Sequence, residues 1–223
     1  NTDANISLFY QKLESIDTSS TDLIVLPEMF NTGFTINAAK VAESMNGKTT
    51  EWLAKMATQK KCVITGSIVI NDGGKYYNRL IWMHRDGKYE IYDKRHLFRM
   101  DDENKIFTAG STRLITNLNG WKICPLVCYD LRFPVWSRNL GDYDCLLYVA
   151  SWPDRRNYAW RQLLIGRAIE NQAYVVGVSR IGKDGNGTEH GGDSVVLNPK
   201  GEPLSKTQAN EESIETVVLS YKE

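Results

Sequence analysis

The chain has 223 residues, of which 42% are hydrophobic, so it is long enough to build a sizeable core in one large domain or two small ones. Lysine plus arginine and aspartate plus glutamate both number 27, and the resulting net charge of zero argues against a nucleic acid or a membrane surface as the main partner. No apolar run could span a bilayer and no signal peptide is visible at the start, so we expect a cytoplasmic protein.

The first half of the chain alternates helical and extended patterns. Apolar residues at helical spacing predict helices over 5–16 and 49–61. Short apolar runs bounded by turn residues predict four strands, at 22–26, 62–70, 76–84 and 89–93. The stretch 94–110 that follows is polar and irregular.

The second half is typical of buried strands joined by helices. Helices are predicted over 130–140, with Pro134 in the first turn, and over 158–172. The predicted strands are 113–117, 121–127, 144–149, 173–180, 193–198 and 214–219. The glycine-rich segment 182–192 precedes a strand rather than a helix, so it is interpreted as a hairpin-like loop and not a phosphate cradle. Since no linker or repeat divides the chain, we predict one α/β domain over 1–223.

Three polar residues share one predicted structural position, just beyond the carboxyl end of a strand. Glu28 follows DLIVLP, Lys94 follows YEIYD, and Cys128 follows WKICPLV. If these strands lie close together, their side chains converge in one crevice, which is where open α/β sheets place their chemistry. Cys128 also stands just before a predicted helix, whose first N–H groups favour a thiolate and could hold an oxyanion.

These residue types suit nucleophilic catalysis by a thiol. A carboxylate in a dry pocket has a raised pKa and can remove the proton of Cys128, as Glu28 would. A lysine cation can stabilise the oxyanion of a tetrahedral intermediate, as Lys94 would. The histidines of the chain form no obvious pair with a cysteine, so no cysteine–histidine arrangement is predicted.

Each residue also has an ordinary structural interpretation. A single Glu28 or Lys94 is more often a solvated surface charge, and a single Cys128 is more often a small buried hydrophobic residue. Cys124 and Cys128 have no matching Cys/His pair at zinc spacing, so no metal site is predicted. The four cysteines fit buried thiols in a reducing compartment better than a disulfide framework.

Four separate motifs resemble those of the nitrilase superfamily of carbon–nitrogen hydrolases. They are LPEMFNTGF around Glu28, YDKRHLF around Lys94, DENKIFTAG around Glu103 and CPLVCYDLRFP around Cys128. The later segments RAIENQAYVVGVSR and GDSVVLNPKGE also match, in the right order. Within the superfamily, KRHLFRMDDE and VCYDLRFPVWSRN are most similar to the omega-amidase branch.

The resemblance implies an α/β fold of the nitrilase type, a four-layer αββα sandwich. It implies Cys128 as nucleophile, Glu28 as base, Lys94 as oxyanion stabiliser and Glu103 as a second glutamate that orients the lysine. The backbone N–H of Tyr129 would be the second oxyanion donor. Family members usually have a strand before the first helix and a tail after the last strand, so this domain is expected to lack both.

The resemblance further implies an amidase that releases ammonia from a small carboxylate-bearing amide, such as 2-oxoglutaramate or succinamate, through a thioester on the cysteine. The expected partners are this substrate, water and a second copy of the chain, with no cofactor, nucleic acid or membrane. Nitrilase, carbamoyl hydrolase and acyl-transfer activities share the same residues and stay open. So does a binding protein with a vestigial site, although all four expected catalytic residues are present.

Substrate recognition would need a cation or convergent donors for the distal carboxylate. Arg155 and Arg156 follow the strand that ends near Trp152, Arg180 ends another strand, and the hydroxyl of Tyr129 adjoins the nucleophile. Phe34 and Trp152 are candidates for aromatic walls that limit the acyl chain. Each arginine is, taken alone, more often a surface or interface residue.

Overall fold

The structure is a computed structural model that describes residues 1–221. It consists of two compact units, Asn1–Leu114 and Ile115 to the end of the described residues. Each unit combines helices with a β-sheet, so the predicted α/β class is confirmed. None of the helices in residues 1–221 has the length and apolar character needed to cross a bilayer.

The first unit is a four-stranded sheet with two long helices. Its helices are α1 (Thr2–Glu14), α2 (Ala38–Val41), α3 (Lys48–Lys60) and α4 (Glu103–Ile106), and its strands are β1 (Leu23–Val25), β2 (Val63–Asp72), β3 (Lys75–Met83) and β4 (Tyr89–Asp93). Apolar side chains of α1, α3 and the first three strands form one buried cluster that includes Leu13, Leu53, Met56, Ile64 and Ile81. Burying these side chains is the main free-energy gain of the unit.

Strand direction in the first sheet places two predicted site residues on one side. The strand order is β1-β2-β3-β4, with β1 parallel to β2 and each of the next two pairs antiparallel. β1 and β4 therefore run in the same direction, and their carboxyl termini lie at the same end of the sheet. Glu28 follows β1 and Lys94 follows β4, as the sequence predicted.

The second unit has a five-stranded sheet with a parallel centre. Its strands β5 (Thr116–Leu118), β6 (Trp121–Val127), β7 (Cys145–Ala150), β8 (Tyr174–Ser179) and β11 (Val195–Leu197) are ordered β11-β8-β7-β6-β5. β6, β7 and β8 are parallel to one another, β5 and β11 pair antiparallel with β6 and β8 at the two edges, and β7 is buried along its whole length. Parallel strands that are buried on both faces have nearly continuous apolar sequences. These apolar runs are the reason that the sequence predicted the three strands.

The long helix α6 (Asn157–Asn171) of this unit packs closely on its sheet. A Cβ atom at Gly177 on β8 would lie 2.6 Å from Cδ1 of Leu164 on α6. A larger residue here would therefore force the Leu164 side chain to shift. Trp160 and Leu164 are fully buried in this contact.

The predicted helix over 130–140 is wrong in length. The chain instead forms a 3₁₀ helix, Cys128–Arg132, and one turn of α-helix, α5 (Pro134–Ser137). Phe133 separates them, with φ −117° and ψ 87°. Proline disfavours helical angles at the residue before it, so Pro134 starts a new turn rather than continuing the first.

The predictions for two further segments near the end of the chain have different outcomes. The glycine-rich segment forms the antiparallel hairpin of β9 (Ile181–Lys183) and β10 (Glu189–Gly191), which confirms the hairpin-like interpretation. The predicted strand at 214–219 is wrong, since these residues have no strand assignment and Val218 is 83% exposed. No strand of residues 1–221 pairs with this apolar segment, and a strand forms only where a neighbour accepts its hydrogen bonds.

Candidate active site

Glu28, Lys94 and Glu103 form a buried ionic cluster in the first unit, called here the Glu–Lys–Glu cluster. The Nζ atom of Lys94 donates to Oε1 of Glu28 at 2.9 Å and to Oε1 and Oε2 of Glu103 at 3.1 and 2.9 Å. All three residues are at most 1% exposed. Charged residues are almost never buried this fully unless they are paired, so these three are not the surface charges of their ordinary interpretation.

The backbone around Glu28 is fixed by the neighbouring strand. Met29 adopts the left-handed region with φ 45°, which is uncommon for a residue with a side chain. Its N–H donates to the Ser67 hydroxyl at 3.0 Å, and Phe30 N–H donates to Ser67 O at 3.2 Å. These bonds to β2 hold the strained turn and so set the direction of the Glu28 side chain.

The backbone of Lys94 is held by hydrogen bonds on both sides. Its N–H donates to Asn78 O on β3, and its carbonyl accepts from Gly110 N–H, both at 3.0 Å. A Cβ atom at Gly110 would lie 2.1 Å from Asp93 O, so only glycine permits this approach. The flexible Lys94 side chain is therefore attached to a backbone position that is held rigidly.

Glu103 begins the short helix α4 after Asp102, which has φ 58°. Its Oε2 accepts from Phe98 N–H at 2.6 Å, besides the bonds to Lys94. Burial raises the pKa of the Glu103 carboxyl, Lys94 lowers it and Glu28 raises it again, with a net upward shift. The Glu103 carboxyl therefore keeps a proton more readily than a carboxyl in water does.

Asn78 is a member of this site that belongs to no predicted motif. Its Nδ2 donates to Oε1 of Glu28 at 2.8 Å and to Oε1 of Glu103 at 3.2 Å, and it is fully buried. The available signal was weak: asparagine is disfavoured in strands, and Asn78 interrupts the run YYNRLIWM. The sequence therefore predicted the charged members of the site and missed the neutral one.

Cys128 lies in the second unit, directly after β6, as the sequence predicted. It opens the 3₁₀ helix rather than preceding a long helix, and its φ is 45°. The buried carboxylate of Asp130 accepts from Val127 N–H at 3.1 Å, and Nη2 of Arg167 donates to Leu131 O at 2.7 Å. These bonds stabilise a strained turn that presents a half-buried thiol, a feature that clusters at functional sites.

The other cysteines contrast with Cys128 in their surroundings. All four cysteines lie in the described residues and are thiols, and Cys62, Cys124 and Cys145 are buried. Burial raises the pKa of Cys62 to about 11 and that of Cys145 to about 12. The thiolate is the nucleophilic form, so these two thiols are unreactive at neutral pH.

The backbone N–H of Tyr129 follows the thiol within the same 3₁₀ helix, where the sequence placed it. The Tyr129 ring packs edge-on against Phe133, with ring centroids 5.3 Å apart. Its role as an oxyanion donor stays a prediction. The dipole of a long helix cannot contribute here, because the helix that begins at Cys128 spans only five residues.

The candidate substrate-binding residues differ in their environments. The Phe34 ring lies 5.7 Å from Nζ of Lys94 and so belongs to the same region as the Glu–Lys–Glu cluster. Trp152 is buried, its Nε1 donates to Arg156 O at 2.9 Å, and the Arg132 guanidinium lies 5.2 Å from its ring. Their roles as walls of a substrate pocket stay predictions.

The two predicted arginines are also unlike each other. Arg155 is exposed on the 3₁₀ helix Asp154–Arg156. Arg180 is half-buried, and its Nη2 donates to Lys183 O at 3.3 Å. Burial lowers the pKa of Arg180, although Asp184 opposes the shift. The role of either arginine in binding a carboxylate stays a prediction.

Across residues 1–221, no group of three or more His, Cys, Asp or Glu side chains has an arrangement that could hold a metal ion. The chemistry of the described groups is that of a thiol, two carboxyls and an ammonium. These are the groups that acyl transfer through a cysteine requires.

Comparisons with known proteins agree with this chemistry. The family model of the carbon–nitrogen hydrolases matches residues 1–222. The chain is 48% identical over 208 residues to the omega-amidase YafV of Escherichia coli K12, an alignment that covers 93% of this chain and 80% of the relative. It is 32% identical over 195 residues to the 2-oxoglutaramate amidase of Bacillus subtilis, which covers 85% of this chain and 75% of the relative.

A solved structure shows the fold directly. XC1258 from Xanthomonas campestris, described as a CN-hydrolase superfamily protein with an arsenic adduct in the active site, is 40% identical to this chain. It matches with a TM-score of 0.96, over 100% of this chain and 86% of that protein. The predicted nitrilase-type fold is thereby confirmed. The chain belongs to the carbon–nitrogen hydrolase family, the nitrilase superfamily, and it is an enzyme of that family similar to the omega-amidases.

Proposed function

We propose that this enzyme is an omega-amidase that hydrolyses the amide of a short dicarboxylic or 2-oxo-dicarboxylic acid, such as succinamate or 2-oxoglutaramate, and releases ammonia. The observation that carries the proposal is the similarity to an omega-amidase over most of both chains. The buried Glu–Lys–Glu cluster supports it, because an ammonium between two carboxylates suits oxyanion stabilisation and proton transfer.

The proposed roles follow the order of bond changes. Glu28 accepts the thiol proton, and the sulfur of Cys128 attacks the amide carbon. Lys94 and the N–H of Tyr129 stabilise the oxyanion, with Glu103 orienting the lysine. Glu28 returns the proton to the departing nitrogen, which leaves as ammonia, and a thioester remains on the sulfur. Glu28 then deprotonates a water that hydrolyses the thioester to the acid and restores the thiol.

The assignment to an amidase acting on carboxylate-bearing amides is tested by comparing a mono-amide that has a free distal carboxylate with its methyl ester. Losing a charge-assisted hydrogen bond should cost roughly 1.5–3 kcal/mol, about ten- to a hundredfold in kcat/KM. A panel of amides and nitriles, assayed for ammonia, gives the reaction class. Equal rates on the acid and the ester would contradict recognition of the distal carboxylate. Ammonia release from nitriles alone would indicate a nitrilase instead of an amidase.

The same pair of compounds tests the arginines. Arg180→Met should reduce the preference for the free acid, because the half-buried guanidinium is the better placed of the two to gain from an anion. Arg155→Met serves as the matched control, since its side chain is exposed. If neither substitution changes the ratio of acid to ester, both arginines return to their ordinary interpretation as surface residues.

We further propose a homodimer in the cytoplasm, with residues 1–223 as one domain. Helices α5 and α6 of the second unit and the bend after α5 leave large apolar side chains in solvent, namely Val135 (90% exposed), Leu140 (81%), Tyr158 (81%) and Ile169 (53%). Two-fold self-pairing is the commonest way to cover such residues. Light scattering at micromolar concentration should give a molecular mass of twice the 25.3 kDa of one chain. Val135→Glu should lower the measured mass toward that of a single chain. A wild-type mass of one chain would contradict the dimer.

A further inference from the structure

One neutral residue, Asn78, forms hydrogen bonds with every member of the Glu–Lys–Glu cluster. Asn78 donates from Nδ2 to both glutamates, at 2.8 Å to Glu28 and 3.2 Å to Glu103. Its backbone carbonyl accepts from Lys94 N–H at 3.0 Å. An amide nitrogen carries two hydrogens, so a single asparagine can bridge two carboxylates without adding charge.

The orientation of this amide is set by the glutamates. The opposite orientation would place Oδ1 against two carboxylate oxygens, where it could accept no hydrogen bond and would be repelled. In the observed orientation Oδ1 is buried without a hydrogen-bond partner among residues 1–221. Buried polar atoms without partners are rare and unfavourable. The contacts of Nδ2 with the carboxylates therefore outweigh this cost, which a residue kept only for strand packing would not incur.

The charges of the cluster explain why a neutral donor is needed. Lys94 supplies one positive charge to two carboxylates, and the Phe98 N–H is the other hydrogen-bond donor to Glu103. Hydrogen bonds to a carboxylate favour its ionised form. Asn78 adds one such bond to each glutamate from the rigid central strand β3, where it pairs with Val69.

We propose that Asn78 is a positioning residue of this enzyme, which bridges the carboxylates of Glu28 and Glu103 and holds Glu28 in the orientation that proton transfer requires. The inference rests on the proposed function in that Glu28 is the base. Asn78 acts through Glu28 and Glu103 rather than on the substrate itself, so its loss should lower kcat more than it raises KM.

The test uses two variants and one control. Asn78→Ala removes the donor, and Asn78→Asp keeps the volume but replaces the donor with an acceptor. Thr65→Val is the matched control, because Thr65 is also fully buried in this sheet and loses one hydrogen bond, from its hydroxyl to Ile81 O at 2.9 Å. Its side-chain hydrogen bond goes to the backbone of β3 rather than to a carboxylate, so it reports the effect of strand destabilisation alone.

The expected result is a kinetic change confined to the Asn78 variants. Asn78→Ala should lower kcat by about ten- to a hundredfold with KM within about threefold. The acidic limb of its pH–rate profile should move up by about one pH unit, because the carboxylates lose a donor that favours ionisation. Asn78→Asp should move it further, since a third carboxyl adds repulsion. Thr65→Val should leave the limb where it is in the wild type.

A second readout separates this inference from the proposed function. Carbon NMR of glutamate-labelled protein, assigned with Glu103→Gln, follows the Glu103 carboxyl without any substrate. Its pKa should rise in Asn78→Ala relative to wild type and stay constant in Thr65→Val. Absence of ammonia release by the wild type would overturn the proposed function, and this titration would still decide the role of Asn78. An unchanged Glu103 titration in both Asn78 variants, or an equal shift in Thr65→Val, would overturn the inference.

Discussion

Replacement of Cys128 by alanine should abolish ammonia release while the protein stays folded. Alanine has no nucleophile, and the substitution removes only a half-buried sulfur from a turn that Asp130 and Arg167 continue to hold. The loss of a covalent nucleophile typically costs orders of magnitude in kcat, so the remaining rate should be indistinguishable from background. An ammonia assay and a thermal unfolding curve, run on the same preparation, measure both parts.

Cys62→Ala is the control for this experiment. Burial raises the pKa of the Cys62 thiol to about 11, so it should contribute little to activity and should react slowly with a thiol reagent at neutral pH. Labelling of the wild type should therefore reach Cys128 first. Substantial turnover by Cys128→Ala, or equal labelling of the two thiols, would return Cys128 to a structural role.

Replacement of Lys94 by methionine should damage both catalysis and stability. Removing an oxyanion donor costs on the order of 10²-fold or more in rate. Breaking a buried ion pair from one side costs roughly 3–5 kcal/mol of unfolding free energy, because two carboxylates are left in a dry site without their cation. Lys88→Met is the control: its pair with Asp86 is exposed, so both effects should be small.

The stability loss of Lys94→Met should depend on pH in a defined direction. Lys94 lowers the pKa of Glu103, so its removal raises a pKa that burial already holds above the ordinary value. A carboxyl whose pKa is higher in the folded than in the unfolded protein destabilises the fold as pH rises. The loss of stability begins near the pKa of the unfolded protein, about 4.3, and is complete above the pKa of the folded protein. Urea unfolding should show a small deficit on the acid side and a large one at neutral pH. A deficit that is constant with pH would show that the lysine acts through packing alone.

The charged residues of the site were predictable because strand direction and residue type act locally. Glu28 and Lys94 each follow a short apolar run, and parallel β1 and β4 bring their carboxyl ends to one edge. Position alone would not have chosen Glu103, which lies in an irregular polar stretch; only the motif indicated it. Asn78 was not predicted as a site residue because a single polar residue inside a strand forms no recognisable sequence pattern. Its contacts are with residues that lie 50 and 25 positions away in the chain.

The errors in the fold have similar causes. The helix over 130–140 follows from apolar spacing, but the restriction that Pro134 places on Phe133 outweighs that pattern. The strand at 214–219 was predicted from a short apolar segment, but strands form only where a neighbour can accept their hydrogen bonds. The apolar pattern within one segment carries no information about such a neighbour.

The central claim is that a thioester on Cys128 links amide cleavage to acid release. The most direct measurement is mass spectrometry of wild-type enzyme quenched with acid during turnover of 2-oxoglutaramate or succinamate, followed by digestion. The account predicts an acyl adduct on the peptide that contains Cys128, absent from Cys128→Ala and from enzyme without substrate. Ammonia release with an adduct on another cysteine, or with no adduct under conditions that preserve thioesters, would contradict it.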